Sequence, residues 1–119
     1  VLRSVIETSV FSRRADALPS REERADLIAT LAARPFAGAL VPELGGVRKL
    51  RFAPKGRGKS GAFRVIYYVV GDEEPILALL IYGKNEQVNP TPEQTRAIVA
   101  VVREFKPGPR KPTANKVRR

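Results

Sequence analysis

Histidine and cysteine are both absent from this chain of 119 residues. Without histidine, the Ser-His-Asp and Cys-His machineries are excluded, and so are the usual histidine-bearing zinc sites. Without cysteine there are no disulfides and no thiolate metal ligands. Acid–base chemistry is left to Lys, Arg, Tyr, Asp and Glu. Long hydrophobic runs are missing too: no stretch approaches the roughly 18 apolar residues of a membrane span. The opening segment VLRSVIET has no basic start followed by an apolar stretch, so no signal peptide is expected. A cytoplasmic location with no membrane partner follows as the expectation.

Acidic residues are scarce in two places, and that scarcity shapes the charge. The net charge is +10. Residues 1–46 carry six basic and six acidic side chains, and residues 65–104 carry three and six. Residues 47–64 hold seven basic ones (Arg48, Lys49, Arg51, Lys55, Arg57, Lys59 and Arg64) and none acidic, and residues 105–119 hold six and none. A positive field focused in this way suits a polyanion, with nucleic acid ahead of an anionic lipid surface.

The apolar fraction of 43% and charged fraction of 29% are those of a globular domain. One domain is expected over 1–106, followed by a basic, proline-rich, disordered tail over 107–119. Residues 2–7 read as a short strand and 8–18 as a helix ended by Pro19. Ser20 and Glu23 form a capping box opening a helix to Arg34, with Leu27, Ile28, Leu31 and Ala32 as its apolar stripe. Residues 35–46 read as a turn-rich connector. Strands follow at 47–52, 63–70 and 75–84, the second β-branched and aromatic, the third apolar enough for burial on both faces. Thr91, Pro92 and Gln94 signal a last helix, with Ile98, Val101, Val102 and Phe105 facing the core. The order β-α-α-β-β-β-α defines an α+β domain with helices packed on an antiparallel-rich sheet.

The segment APKGRGKS (53–60) matches a loose form of the nucleotide-binding P-loop. A P-loop leads into a helix whose first N–H groups face the phosphates. Here the next residues, GAFRVIYYVV, read as a strand, so the helix dipole is missing and nucleotide hydrolysis is not expected. The loop reads instead as a hairpin tip carrying Lys55, Arg57 and Lys59 between glycines that let the backbone approach a phosphate chain. With Arg48, these cations are the candidate RNA-backbone contacts, which position a nucleic acid without reading its sequence.

GGVRKLRFAPKGRGKSGAFRVIYY (45–68) followed by LLIYGKNE (79–86) resembles the RelE/ParE superfamily of toxin–antitoxin toxins, in its HigB-like branch. The similarity runs from the first strand through the last helix and leaves out the tail. The resemblance implies a compact fold with a curved antiparallel sheet packed by helices. It implies a ribosome-dependent endoribonuclease that cuts mRNA, needs no cofactor or metal, and is silenced by a cognate antitoxin protein. Its basic site residues match Lys49, Arg51, Arg64 and Lys84. RelE-type sequences usually carry a further Arg beside the last of these and a Tyr near the carboxyl end; those slots hold Asn85 and about Thr91. The general base therefore stays open, with Tyr82 a substitute candidate beside Lys49 and Lys84.

RNA can be cut without metal when its 2′-OH attacks the adjacent phosphate, leaving a 2′,3′-cyclic phosphate and a 5′-OH. That needs a base, cations for the developing charge, and an acid for the leaving oxygen. Lys49 and Arg51 share a strand face, and Arg64 and Lys84 converge with them if pairing brings the strands together. Crowded cations lower a lysine's pKa, while Arg keeps its proton and holds charge. Tyr67 and Tyr68 are expected to be packing residues. Two other readings stay open: a ParE-like gyrase poison, against which Lys49, Arg51 and Arg64 argue, and an RNA-binding module without chemistry.

Overall fold

The β-branched and aromatic segment around Val65 pairs on both sides and organises the molecule. The computed structural model describes residues 3–42, 44–54, 62–71 and 74–105. In chain order its elements are β1 (Val5–Glu7), α1 (Ser9–Ala15), α2 (Arg21–Ala33), β2 (Ala39–Leu40), β3 (Arg48–Phe52), β4 (Phe63–Val69), β5 (Ile76–Gly83) and α3 (Pro92–Phe105). The strands form one five-stranded sheet in the order β1-β5-β4-β3-β2. β1 runs parallel to β5, and the other neighbours are antiparallel.

This is the expected α+β class with one edge strand more than the sequence pattern signals. β2 lies inside the segment read as a connector. Gly45 and Gly46 adopt φ of 75° and 100°, which only glycine takes without strain, and turn the chain back. Val41 N–H then donates to the Val47 carbonyl at 3.0 Å. Both capping boxes form as expected. The Ser20 hydroxyl accepts from Glu23 N at 3.1 Å while the Glu23 carboxylate accepts from Ser20 N at 2.8 Å. Thr91 and Gln94 exchange the equivalent pair at 3.1 and 2.9 Å.

The sheet is covered on both faces. Phe11 and Ala15 of α1 and Leu27 and Leu31 of α2 pack on Phe63, Val65, Tyr67, Ile76, Ala78 and Ile81. Ile98 and Val102 of α3 pack on the opposite face, against Ile66, Tyr68, Leu77, Leu79, Leu80 and Tyr82. Tyr67 and Tyr68 are buried as packing residues, each contributing roughly 1.5–3 kcal/mol as a large side chain removed from water. Phe105, which shares the helical period of Ile98 and Val102, lies at the last residue of α3 and is 42% exposed.

β5 does not alternate strictly, and a β-bulge is the reason. Ile66 pairs with Leu80, but Tyr67 pairs with Ala78, so Leu79 is an extra residue on β5. Before it, Ile76 and Ala78 face α1 and α2; after it, Leu80 and Tyr82 face α3. Leu79 and Leu80 therefore point to the same side.

Candidate nucleic-acid interface

Strand alternation determines which cations of β3 can meet. Leu50 and Phe52 are held against the α1–α2 core, so Lys49 and Arg51 project from the other face. In the ladder Arg51 lies opposite Arg64, and Arg64 opposite Tyr82, which makes the three lateral neighbours on that face. Lys84 follows Tyr82 by two residues and shares its side because the bulge precedes both. Where α3 stops covering this face, an open groove of about 490 Å³ remains, and Lys49, Arg51, Arg64 and Lys84 all line it. The four basic residues singled out in the sequence are thus brought together from β3, β4 and the residue that follows β5.

One atom of Arg64, a residue that lines the groove, is conspicuous. Arg64 Nη1 is buried and has no hydrogen-bond partner among the described residues. Leaving such a donor unpaired costs about 1–3 kcal/mol, more for a charged group, and an anionic oxygen would remove that cost. Among the described residues, no acidic side chain lines the groove to neutralise its cations. Among the described residues, no cluster of three or more acidic groups is placed to hold a metal ion. The arrangement can take up a phosphate and stabilise negative charge that develops on it.

The walls come from two segments. Ala39, Val41 and Pro42 of the β2 segment form one, and Gln87, Val88, Asn89 and Pro90 of the loop between β5 and α3 form the other. That loop is tied down at several points. Tyr82 donates its hydroxyl to the Val88 carbonyl at 3.0 Å, and Lys49 Nζ donates to the same oxygen at 3.2 Å. Gln87 Nε2 donates to the Asn89 carbonyl at 2.9 Å and to Gln94 Oε1, in the cap of α3, at 2.7 Å. The Glu86 carboxylate accepts from Gly83 N at 3.1 Å and pairs with the Arg14 guanidinium of α1. Arg14 also donates from Nε to the Ile81 carbonyl at 2.6 Å. The Arg14 hydrogen bond is the main reason the Glu86 carboxyl sits below its ordinary value of 4.5.

The other candidates fall elsewhere. Tyr82 is fully buried beneath the loop, and burial pushes its phenol up from the ordinary value of 10.0, with Arg64 opposing the shift. Arg48 projects to the opposite face of β3, donating to the Gly38 carbonyl at 2.7 Å and lying 5.1 Å from the Phe36 ring centroid. It is separated from the groove. Lys55, Arg57 and Lys59 of the hairpin tip and the basic tail lie outside the described residues. The sequence reading did not reach Arg14, Glu86, Val88 or Asn89. Arg14 and Glu86 are 72 positions apart, a separation that no local pattern bridges.

The same architecture occurs in a solved structure of the E. coli toxin RelE, a mutant with two arginines changed to alanine, in the free state. The superposition has a TM-score of 0.58 at 14% identity and covers 86% of this chain and 99% of that one. The chain has a RelE-like fold. At that identity the likeness concerns the path of the backbone, and no family model matches the sequence. In this RelE-like frame the groove lies on the α3 face of the sheet, floored by β3, β4 and the end of β5. No helix among the described residues is long and apolar enough to cross a membrane.

Proposed function

We propose that the chain is the toxin of a bacterial toxin–antitoxin system of the HigB-like kind, an endoribonuclease that cuts mRNA on the ribosome. The observation that carries this reading is the convergence of Lys49, Arg51, Arg64 and Lys84 in one groove, with Arg64 Nη1 left without a partner. The RelE-like fold adds support.

The scissile phosphate sits against Arg64 and Arg51, whose guanidiniums hold charge without giving up protons. The 2′ oxygen attacks phosphorus, the bond to the 5′ oxygen breaks, and the products are a 2′,3′-cyclic phosphate and a 5′-OH. A lysine takes the proton from the 2′-OH, and a second proton goes to the departing 5′ oxygen. Lys84 is the better base, since its amine makes no hydrogen bond among the described residues, whereas Lys49 is engaged with Val88. Lys49 stands ready as a donor to the leaving oxygen. Tyr82 is a prop for the loop rather than a base, because its hydroxyl is buried and engaged. A cognate antitoxin with an acidic segment over the groove would neutralise it.

The test is a cell-free translation reaction with the full chain and its Arg64→Ala variant, mRNA ends being mapped by primer extension. Cuts that need translating ribosomes and vanish in the variant are expected. Intact mRNA with folded, inhibitor-free protein would overturn the nuclease reading and send attention to DNA gyrase supercoiling and to RNA binding without cleavage.

A further inference from the structure

Lys84 sits just past the end of a strand, so strand pairing alone does not set its direction. β5 ends at Gly83, and Lys84 N continues the ladder by one bond, to the Ala62 carbonyl at 3.2 Å. The chain then turns, Glu86 N donating to the Gly83 carbonyl at 3.0 Å. Helix α1 reaches this turn from the face of the sheet opposite the groove. Its N-cap, Thr8, donates to the Ala78 carbonyl from N at 3.1 Å and from Oγ1 at 3.0 Å, beside the bulge. Farther along the helix, Arg14 donates from Nε to the Ile81 carbonyl at 2.6 Å and from Nη2 to Glu86 Oε2. The other Glu86 oxygen accepts from Gly83 N at 3.1 Å. One guanidinium thus grips β5 before Lys84 and the turn after it, from a helix seated by the buried Phe11 and Ala15.

An ion pair between two partly exposed side chains adds little stability by itself. What this pair adds is direction. Both oxygens of Glu86 and two nitrogens of Arg14 have separate tasks, and all of them act on the stretch from Ile81 to Glu86. Neither side chain is among the described residues that line the groove, so an effect on its chemistry passes through what the pair holds. We infer that Arg14 and Glu86 are positioning residues, which fix the turn after β5 so that the Lys84 amine is presented to the 2′-OH in the groove. This rests on the nuclease reading above, with Lys84 as its base, and deepens it. A general base works only within hydrogen-bond reach of the proton it takes. Lysine carries its amine on a flexible four-carbon stem, so a loosened turn spreads that amine over many positions. A misplacement of about 1 Å can cost roughly 10²-fold in rate.

The full chain is assayed for mRNA cleavage in a cell-free translation reaction over a range of ribosome concentrations. Beside it run Arg14→Gln, Arg14→Lys, Glu86→Gln and Lys84→Ala, each shown by thermal melting to be folded. Two doubles complete the set, Arg14→Gln with Glu86→Gln and Arg14→Gln with Lys84→Ala. Arg14→Gln and Glu86→Gln should each lower the maximal rate by roughly 10–10²-fold, with the half-saturating ribosome concentration little changed. Their double should be no slower than the slower single, since the two act as one unit. Arg14→Lys, which can keep one of the two grips, should fall between. In the Lys84→Ala background, Arg14→Gln should cost nothing further. A loss that adds to the Lys84→Ala defect, or a full rate in Arg14→Gln, overturns the positioning role and leaves the nuclease reading standing. An unaltered rate in Lys84→Ala moves the base elsewhere and overturns the positioning role as well. Should Lys84→Ala cut too slowly to measure, a fall in the maximal rate alone in Arg14→Gln supports positioning, and a matching rise in the half-saturating concentration overturns it. Wild-type protein that is folded and inhibitor-free yet cuts nothing overturns the positioning role and the nuclease reading together.

Discussion

Lys49 and Tyr82, on strands separated by β4, donate to one and the same oxygen, the carbonyl of Val88, at 3.2 and 3.0 Å. A cation at the groove surface and a phenol beneath it therefore hold the same point of the loop. Tyr82→Phe removes one of these bonds and keeps the ring in the core. The expected cost is about 1 kcal/mol of stability. Ribosome-dependent cleavage should stay within a few-fold of wild type, because Lys49 still grips the loop and the proposed base is Lys84. Primer extension on the variant checks this, and loss of all cuts would restore Tyr82 as the base.

Replacing Arg64 tests charge stabilisation more finely than truncation does. Arg64→Lys keeps a positive charge but loses the planar fork and the buried Nη1 donor. Cleavage should fall by roughly 10²–10³-fold, as when one preorganised donor to a transition-state oxygen is removed. Ribosome association measured by co-sedimentation should change little. A fall in binding as large as the fall in rate would mean that Arg64 holds RNA rather than the transition state.

Acid should loosen the fold through two carboxyls. Glu7 is held below its ordinary value of 4.5, chiefly by its hydrogen bond from Arg24, and Glu86 likewise by Arg14. For a carboxyl whose folded pKa is depressed, stability is fully present above the unfolded value and is lost as pH falls through the folded one. Thermal melts should therefore be flat near neutrality and drop below about pH 4.5. Glu7→Gln should lower the melting temperature at pH 7, where about 1–2 kcal/mol is at stake for this partly exposed pair, and should flatten the acid limb. An unchanged acid limb would assign the loss to other groups.

A buried phenol helps anchor the segment that leads into β2. Tyr67 accepts a hydrogen bond from the buried Gly38 N–H at 2.8 Å. Tyr67→Phe strands that donor and should cost about 1–3 kcal/mol in chemical denaturation. Gly38→Ala should also destabilise, since its Cβ would lie 2.8 Å from the Tyr67 hydroxyl and 2.9 Å from the Lys49 carbonyl. A neutral outcome for both variants would show that β2 is not anchored there.

Local signals in the sequence were strong where the physics is local. Ser20 with Glu23 and Thr91 with Gln94 marked two helix starts because a capping box lies within four consecutive residues. The alternation in RKLRF separated Lys49 and Arg51 from Leu50 and Phe52, and the structure keeps that separation. β2 was hidden because two residues cannot show a period. The clamp on the loop was hidden because Arg14, Glu86, Lys49 and Val88 meet only through tertiary packing. The burial of Tyr82 and the side-chain parity that takes Arg48 away from the groove were not legible locally, although both lie close in sequence to the residues that line it.

Leu79, a leucine in an apolar run, serves as a counting device. In a strand of the same length without the bulge, every even position of β5 would stay on the side of Ile76 and Ala78, and Lys84 would be aimed beneath α1. The side on which the fourth cation lies thus depends on the number of residues between Leu80 and Lys84 as much as on their identity. Deleting Leu79 alone would remove the bulge and leave Lys84 on the groove side, whereas one residue added between Leu80 and Lys84 would turn the fourth cation toward the core. One-residue insertions and deletions between Leu80 and Lys84 are for that reason a sharper threat to the groove than most substitutions along the strand, and paired changes there are the ones that can cancel.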